Sequence, residues 1–129
     1  MRIIITLILT CLSSMLFAAE GTTYCPEPKS FHYNSNNGFL EAPGGWRTIA
    51  SANSKVIEFV RAEANEYNGN VYSCFYNIKT GKRSIEDDAD SFLSYTADDL
   101  NASYWKKGSG SIRVCVSNSP QDCPFHQTA

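Results

Sequence analysis

Residues 71–78, VYSCFYNI, alternate so that Tyr72, Cys74, Tyr76 and Ile78 share one face. A two-residue period of this kind predicts a half-buried β-strand, and this face is expected to turn inward. Lys79-Thr80-Gly81-Lys82 then reverses the chain into a second strand from Arg83 to Ile85. The acidic run Glu86-Asp87-Asp88-Ala89-Asp90 that follows reads as a solvated loop. Further strands are predicted over Ser30–Tyr33 as a short edge, Trp46–Ala50 after the Pro43-Gly44-Gly45 turn, Ser91–Thr96, and Ser111–Val116.

One segment reads two ways. In Lys55–Glu66, KVIEFVRAEANE, Val56, Val60, Ala64 and Tyr67 would stripe a helix, whereas Val56, Ile57, Phe59 and Val60 suit a strand. Asn68-Gly69 lies directly beyond, a pair that tolerates the positive φ of a type I′ hairpin turn, and it tips the segment towards strand. Thr96 with Asp99 resembles a capping box that opens one helical turn through Ala102. Short strands punctuated by Gly, Pro and Asn turns predict a mainly β protein: a small antiparallel sheet folded as a sandwich or partial barrel, with one short helix.

The first residues change this picture. MRIIITLILTCLSSMLFAAEG has a charged start, an apolar stretch and a small-residue exit, the pattern of a secretory signal peptide over residues 1–19 cleaved after Ala18 or Ala19. Residues 20–129 are then enough for one domain, and no later apolar run approaches membrane-spanning length. The expected location is exported, in the periplasm or outside the cell, with no membrane insertion once the leader is gone. Lys and Arg number 11 against 13 Asp and Glu, without a basic stripe, which argues against a nucleic-acid partner.

Loss of the leader removes Cys11 and leaves Cys25, Cys74, Cys115 and Cys123. An even count in an exported chain implies two disulfides, in one of three pairings. Ser117-Asn118-Ser119-Pro120-Gln121-Asp122 has the composition of a chain reversal and favours Cys115 with Cys123, leaving Cys25 with Cys74. The thiols lack the close pairs of a structural zinc site, and His32 and His126 lack metal-ligand spacing, so neither a metal nor a cofactor is expected.

No nucleophile motif accompanies either histidine, and the expectation is a non-enzymatic binding or interaction domain with a protein partner. An enzyme of unrecognised type is the competing class. Trp46 and Trp105 flank Gly-containing turns and, with Tyr104, form a candidate binding face; the alternative is that the two indoles belong to the core.

Taken together, YCPEP, GFLEAPGGW, FVRA at 59–62, VYSCFY, YW at 104–105 and CVSNSPQDCPF resemble a family of small exported bacterial proteins classed as a domain of unknown function. The resemblance spans nearly the whole mature chain and implies a disulfide-bonded β domain. It carries over to Cys74 and Tyr76 as a C-x-Y pair and to Cys115 and Cys123 as a terminal pair, and it transfers no catalytic residue. A fainter likeness is to the periplasmic inhibitors of host C-type lysozyme, through YSC at 72–74 and WKKG at 105–108. The Ser-Gly loop with a downstream Tyr that those inhibitors insert is not evident in GSGS at 108–111.

Overall fold

Alternation and turn glycines translate into ten strands in the computed structural model, which describes residues 22–49, 53–101 and 104–128. They are β1 (His32–Asn34), β2 (Phe39–Ala42), β3 (Trp46–Ile49), β4 (Ser54–Asn65), β5 (Val71–Thr80), β6 (Arg83–Ser91), β7 (Tyr95–Ala97), β8 (Trp105–Lys107), β9 (Ile112–Val116) and β10 (Phe125–Gln127). Eight form an antiparallel sheet in the order β1-β2-β3-β6-β5-β4-β9-β8, curled into a half-barrel, and β7 pairs with β10 in a separate ribbon. The predicted leader, residues 1–19, lies outside the described residues.

Bulges supply the curl. Between β4 and β5 the register shifts three times, leaving Ile57 and Val60 as extra residues on β4 and Tyr72 as the extra residue on β5. Each inserted residue bends its strand and increases the local twist. On β4 the consequence is that Val56, Phe59, Ala62 and Ala64 are all buried, at spacings of three and two rather than strictly two. Of the four residues that would stripe a helix, Val56 and Ala64 are buried, whereas Val60 sits on a bulge and Tyr67 is exposed. Tyr72 stands half-exposed instead of inward because it occupies the bulge, where its hydroxyl accepts a hydrogen bond from Asn65 Nδ2 at 2.7 Å.

The inner face carries the core in two aromatic groups. Tyr76 meets Phe31 and Phe59 edge-on at 5.0 and 5.6 Å, and its hydroxyl donates to the Pro26 carbonyl at 2.6 Å. Burial, helped by nearby Glu27, pushes this phenol far above its ordinary pKa, so it stays a neutral donor. Trp46 stacks on Tyr95 at 5.3 Å, and Phe125 packs against both, which seats the β7–β10 ribbon over the half-barrel. Cys25–Cys74 ties the N-terminal segment to β5, and Cys115–Cys123 ties β9 to the segment entering β10.

Two loops share one design. Asn34-Ser35-Asn36-Asn37-Gly38 and Asn65-Glu66-Tyr67-Asn68-Gly69 each begin with an Asn whose carbonyl accepts the Gly N–H, at 2.8 and 2.9 Å. In each, the first Asn side chain takes the N–H two residues on, and the Asn before Gly takes the N–H just after it. Only the glycines, at φ 78° and 76°, have positive φ. Asn68-Gly69 therefore closes a four-residue loop and not the two-residue type I′ turn expected from the sequence, because Asn65 captures the chain earlier. The two-residue hairpin is at Gly81-Lys82, between the paired Thr80 and Arg83.

Three other expectations change. The acidic run is not a loop: Glu86–Asp90 continue β6, with Glu86 to Ala89 paired to Asn77 to Cys74 of β5 and Asp90 paired to Arg47 of β3. The predicted strand over 91–96 is divided, since Ser91 Oγ accepts from Leu93 N–H and donates to the Gly44 carbonyl, bending the chain between β6 and β7. The helical turn from Thr96 does not form in the described residues: Thr96 lies in β7, and Asp99 accepts from the Asn101 N–H in a local turn. The helical elements described are two short 3₁₀ turns, Pro28–Ser30 and Pro120–Asp122, each with proline at its start.

Candidate functional site

β6 has two neighbours and treats them differently. Against β5 it is paired continuously from Cys74–Ala89 to Thr80–Arg83. Against β3 it pairs only at Trp46–Ser91 and Arg47–Asp90 before the strands part. Where the next bonds would form, the Asp88 N–H instead donates to the side chain of Asp87 at 2.8 Å. The result is a cleft of about 240 Å³ through the sheet.

Strand alternation decides what lines it. Leu40 and Thr48 are paired on the inner side, and Asp87, opposite Tyr76, also faces inward. Asp88 and Asp90 project outward beside Phe75 and Ser73, and Phe39, Arg47 and Ile49 form the outer rim. Ile49 is 76% exposed, an apolar lip beside acidic groups.

Electrostatics sharpen the picture. Arg47 lies over the Phe39 ring at 4.7 Å. The ion pairs of the described residues engage Arg61 with Glu63 and Glu86, Arg113 with Glu66, and His126 with Asp98, leaving Asp87, Asp88 and Asp90 without a cationic partner. Ser73 Oγ has one proton and directs it to Asp90 at 2.6 Å, with Asp88 at 3.2 Å. Burial raises the Asp87 pKa above its ordinary value; the bond from the Asp88 N–H opposes this, and the Asp88 and Asp90 charges add to the rise.

Thr48 is 3% exposed, lines the cleft, and its Oγ1 has no hydrogen-bond partner among the described residues. A buried hydroxyl without a partner costs about 1–3 kcal/mol, so its position invites a functional explanation.

The aromatic candidates are placed elsewhere. Trp46 and Trp105 are each 3% exposed, so the indoles do not form a binding face: Trp46 is held in the stack with Tyr95, and Trp105 opposes Cys115 on the inner side. Tyr104 is half-exposed next to Trp105, at the edge of the sheet away from the cleft. His32 is exposed on the opposite edge strand, and the His126 Nδ1–H donates to the Asp98 carboxylate at 2.7 Å on the ribbon. No group of three or more His, Cys, Asp or Glu among the described residues is placed to hold a metal ion. No described helix is long and apolar enough to cross a membrane.

Thr48 and Asp87 carried no sequence signal of a site. One lay in a short strand and the other in a run read as loop, and their proximity depends on β3 skipping to β6.

The family described as Protein of unknown function (DUF3757) matches residues 19–126. The chain belongs to this family. The match covers both disulfides and every described strand apart from Gln127, the last residue of β10. Among curated proteins and among solved structures, none matches the chain.

Proposed function

We propose that this protein is an exported, disulfide-locked binding domain whose ligand is received in the cleft between β3 and β6. The observation that carries the reading is the buried Thr48 hydroxyl, left without a partner at the one place where the β6 ladder opens. Two disulfides suit an oxidising compartment, and the family match begins at residue 19, where the leader reading ends. The rigid half-barrel would hold the cleft's groups in place and reduce the entropy lost on binding.

The test is a peptide and small-molecule binding screen of the wild-type domain beside Ile49→Trp. Ile49 is exposed at the rim, so a larger ring there covers the mouth without disturbing the core. Ligands retained by wild type and lost by Ile49→Trp support the reading; ligands bound equally by both overturn it.

A second reading, inhibition of a host hydrolase such as lysozyme, draws on the β8–β9 hairpin, which presents exposed Lys106, Ser109 and Gly110 at a sheet edge. Unchanged lytic activity in the presence of a micromolar excess of the domain would remove it.

A further inference from the structure

We propose that the β3–β6 cleft is a subsite for an organic cation bearing several N–H donors, a primary ammonium or guanidinium of the kind that ends a lysine or arginine side chain. The inference rests on the reading of the cleft as the ligand site and adds the chemistry of what enters it.

Three observations converge. The first is charge: Asp87, Asp88 and Asp90 line the cleft and take part in none of the ion pairs of the described residues, while Arg47, opposite Asp90 on the rim, lies over the Phe39 ring. The second is Thr48, which lines the same cleft and whose buried hydroxyl, able to accept a hydrogen bond, has no partner among the described residues. The third is geometry. These carboxylates do not converge into a group able to hold a metal ion. Acceptors spread over both lips of a cleft instead suit a donor whose N–H bonds point in several directions. Charge-assisted bonds from such a donor are the strong kind, and the low-dielectric wall behind Thr48 strengthens them further. Phe39 and Ile49 at the rim provide apolar surface for the methylene stem that accompanies such a head group.

The experiment uses amide and methyl NMR of the oxidised domain, titrated with propylammonium, with ethylguanidinium, and with a capped peptide carrying one lysine; acetate and calcium chloride are the controls. Saturable shifts at Thr48, Ile49, Asp87 and Asp88 with either organic cation, and none with acetate or calcium, are the expected result. Tighter binding of the peptide than of propylammonium assigns the source to a protein partner; equal or weaker binding assigns it to a free amine. Asp87→Asn with Asp88→Asn should weaken propylammonium binding about tenfold or more, and Thr48→Val several-fold, each losing hydrogen bonds to a charged donor. The same spectra report whether each variant is folded. Should calcium or acetate shift the cleft while the organic cations do not, or should no probe shift it, this inference falls, while the cleft as a ligand site stands or falls on the Ile49→Trp screen. Undiminished binding in the folded variants also overturns the inference.

Discussion

The two edges of β6 are made from one strand, yet one is sealed and the other open. On the β5 side, every inward residue of β6 from Ile85 to Ala89 finds a partner across the ladder, and Cys25–Cys74 pins β5 from behind. On the β3 side, pairing ends after two residues, and the Asp88 N–H turns to the Asp87 carboxylate. The difference lies in the neighbours. β5 is joined to β6 by a two-residue hairpin, so its register is imposed locally, whereas β3 arrives from far along the chain and is paired to β6 only at Trp46 and Arg47. A sheet can therefore be rigid where its contacts are local and keep a functional opening where they are distant.

The most disruptive way to break the contrast is Trp46→Ala. It removes the ring that fastens β3 to Tyr95 and Phe125, and it should cost about 4–5 kcal/mol in urea unfolding. A loss near that of an exposed site would mean that β3 is secured by something other than this stack. Replacing Cys25 and Cys74 together by Ala releases the sealed side. With a separation of 49 residues, loss of that disulfide should lower stability by about 4 kcal/mol, against about 2.5 for the Cys115–Cys123 pair with its separation of 8. Equal losses for the two pairs would contradict the chain-entropy account.

Smaller changes sharpen the open side. Thr48→Val keeps the volume and removes the unpaired hydroxyl, so the ligand-free protein should gain about 1 kcal/mol; a comparable loss would reveal a partner for Oγ1 within the fold. Asp87→Asn should raise Tm slightly at neutral pH. Because the folded state raises the Asp87 pKa above its unfolded value, ionising this group costs the fold. The advantage of the Asn variant is thus complete at neutral pH and fades as acid protonates Asp87 in the parent. A Tm difference that grows towards acid would reverse the sign of this argument.

Much of the frame was legible because its determinants are local. The alternation of Cys74, Tyr76 and Ile78 named the inner face of β5, and the short Cys115–Cys123 spacing around Pro120 named its own bridge. Errors arose where a local pattern was modulated by its neighbours. Asn65 lengthened the Asn68-Gly69 turn, and β5 drew the acidic run into β6 despite its polarity, whereas β4 is the strand favoured from the sequence even though bulges at Ile57 and Val60 break its alternation. The indoles illustrate the same limit, since a Trp beside a turn can face either way until its packing partners are known.

By itself, the chain's order of residues determined that it would be a β protein with two bridges and glycine-governed reversals, since side-chain period, turn geometry and cysteine count act over a few positions. Only the tertiary structure decided that β3 would meet β6 and part from it, placing Thr48 beside Asp87. That meeting depends on the curl set by distant bulges and on which strand edges remain to be paired, and no short window of sequence contains either.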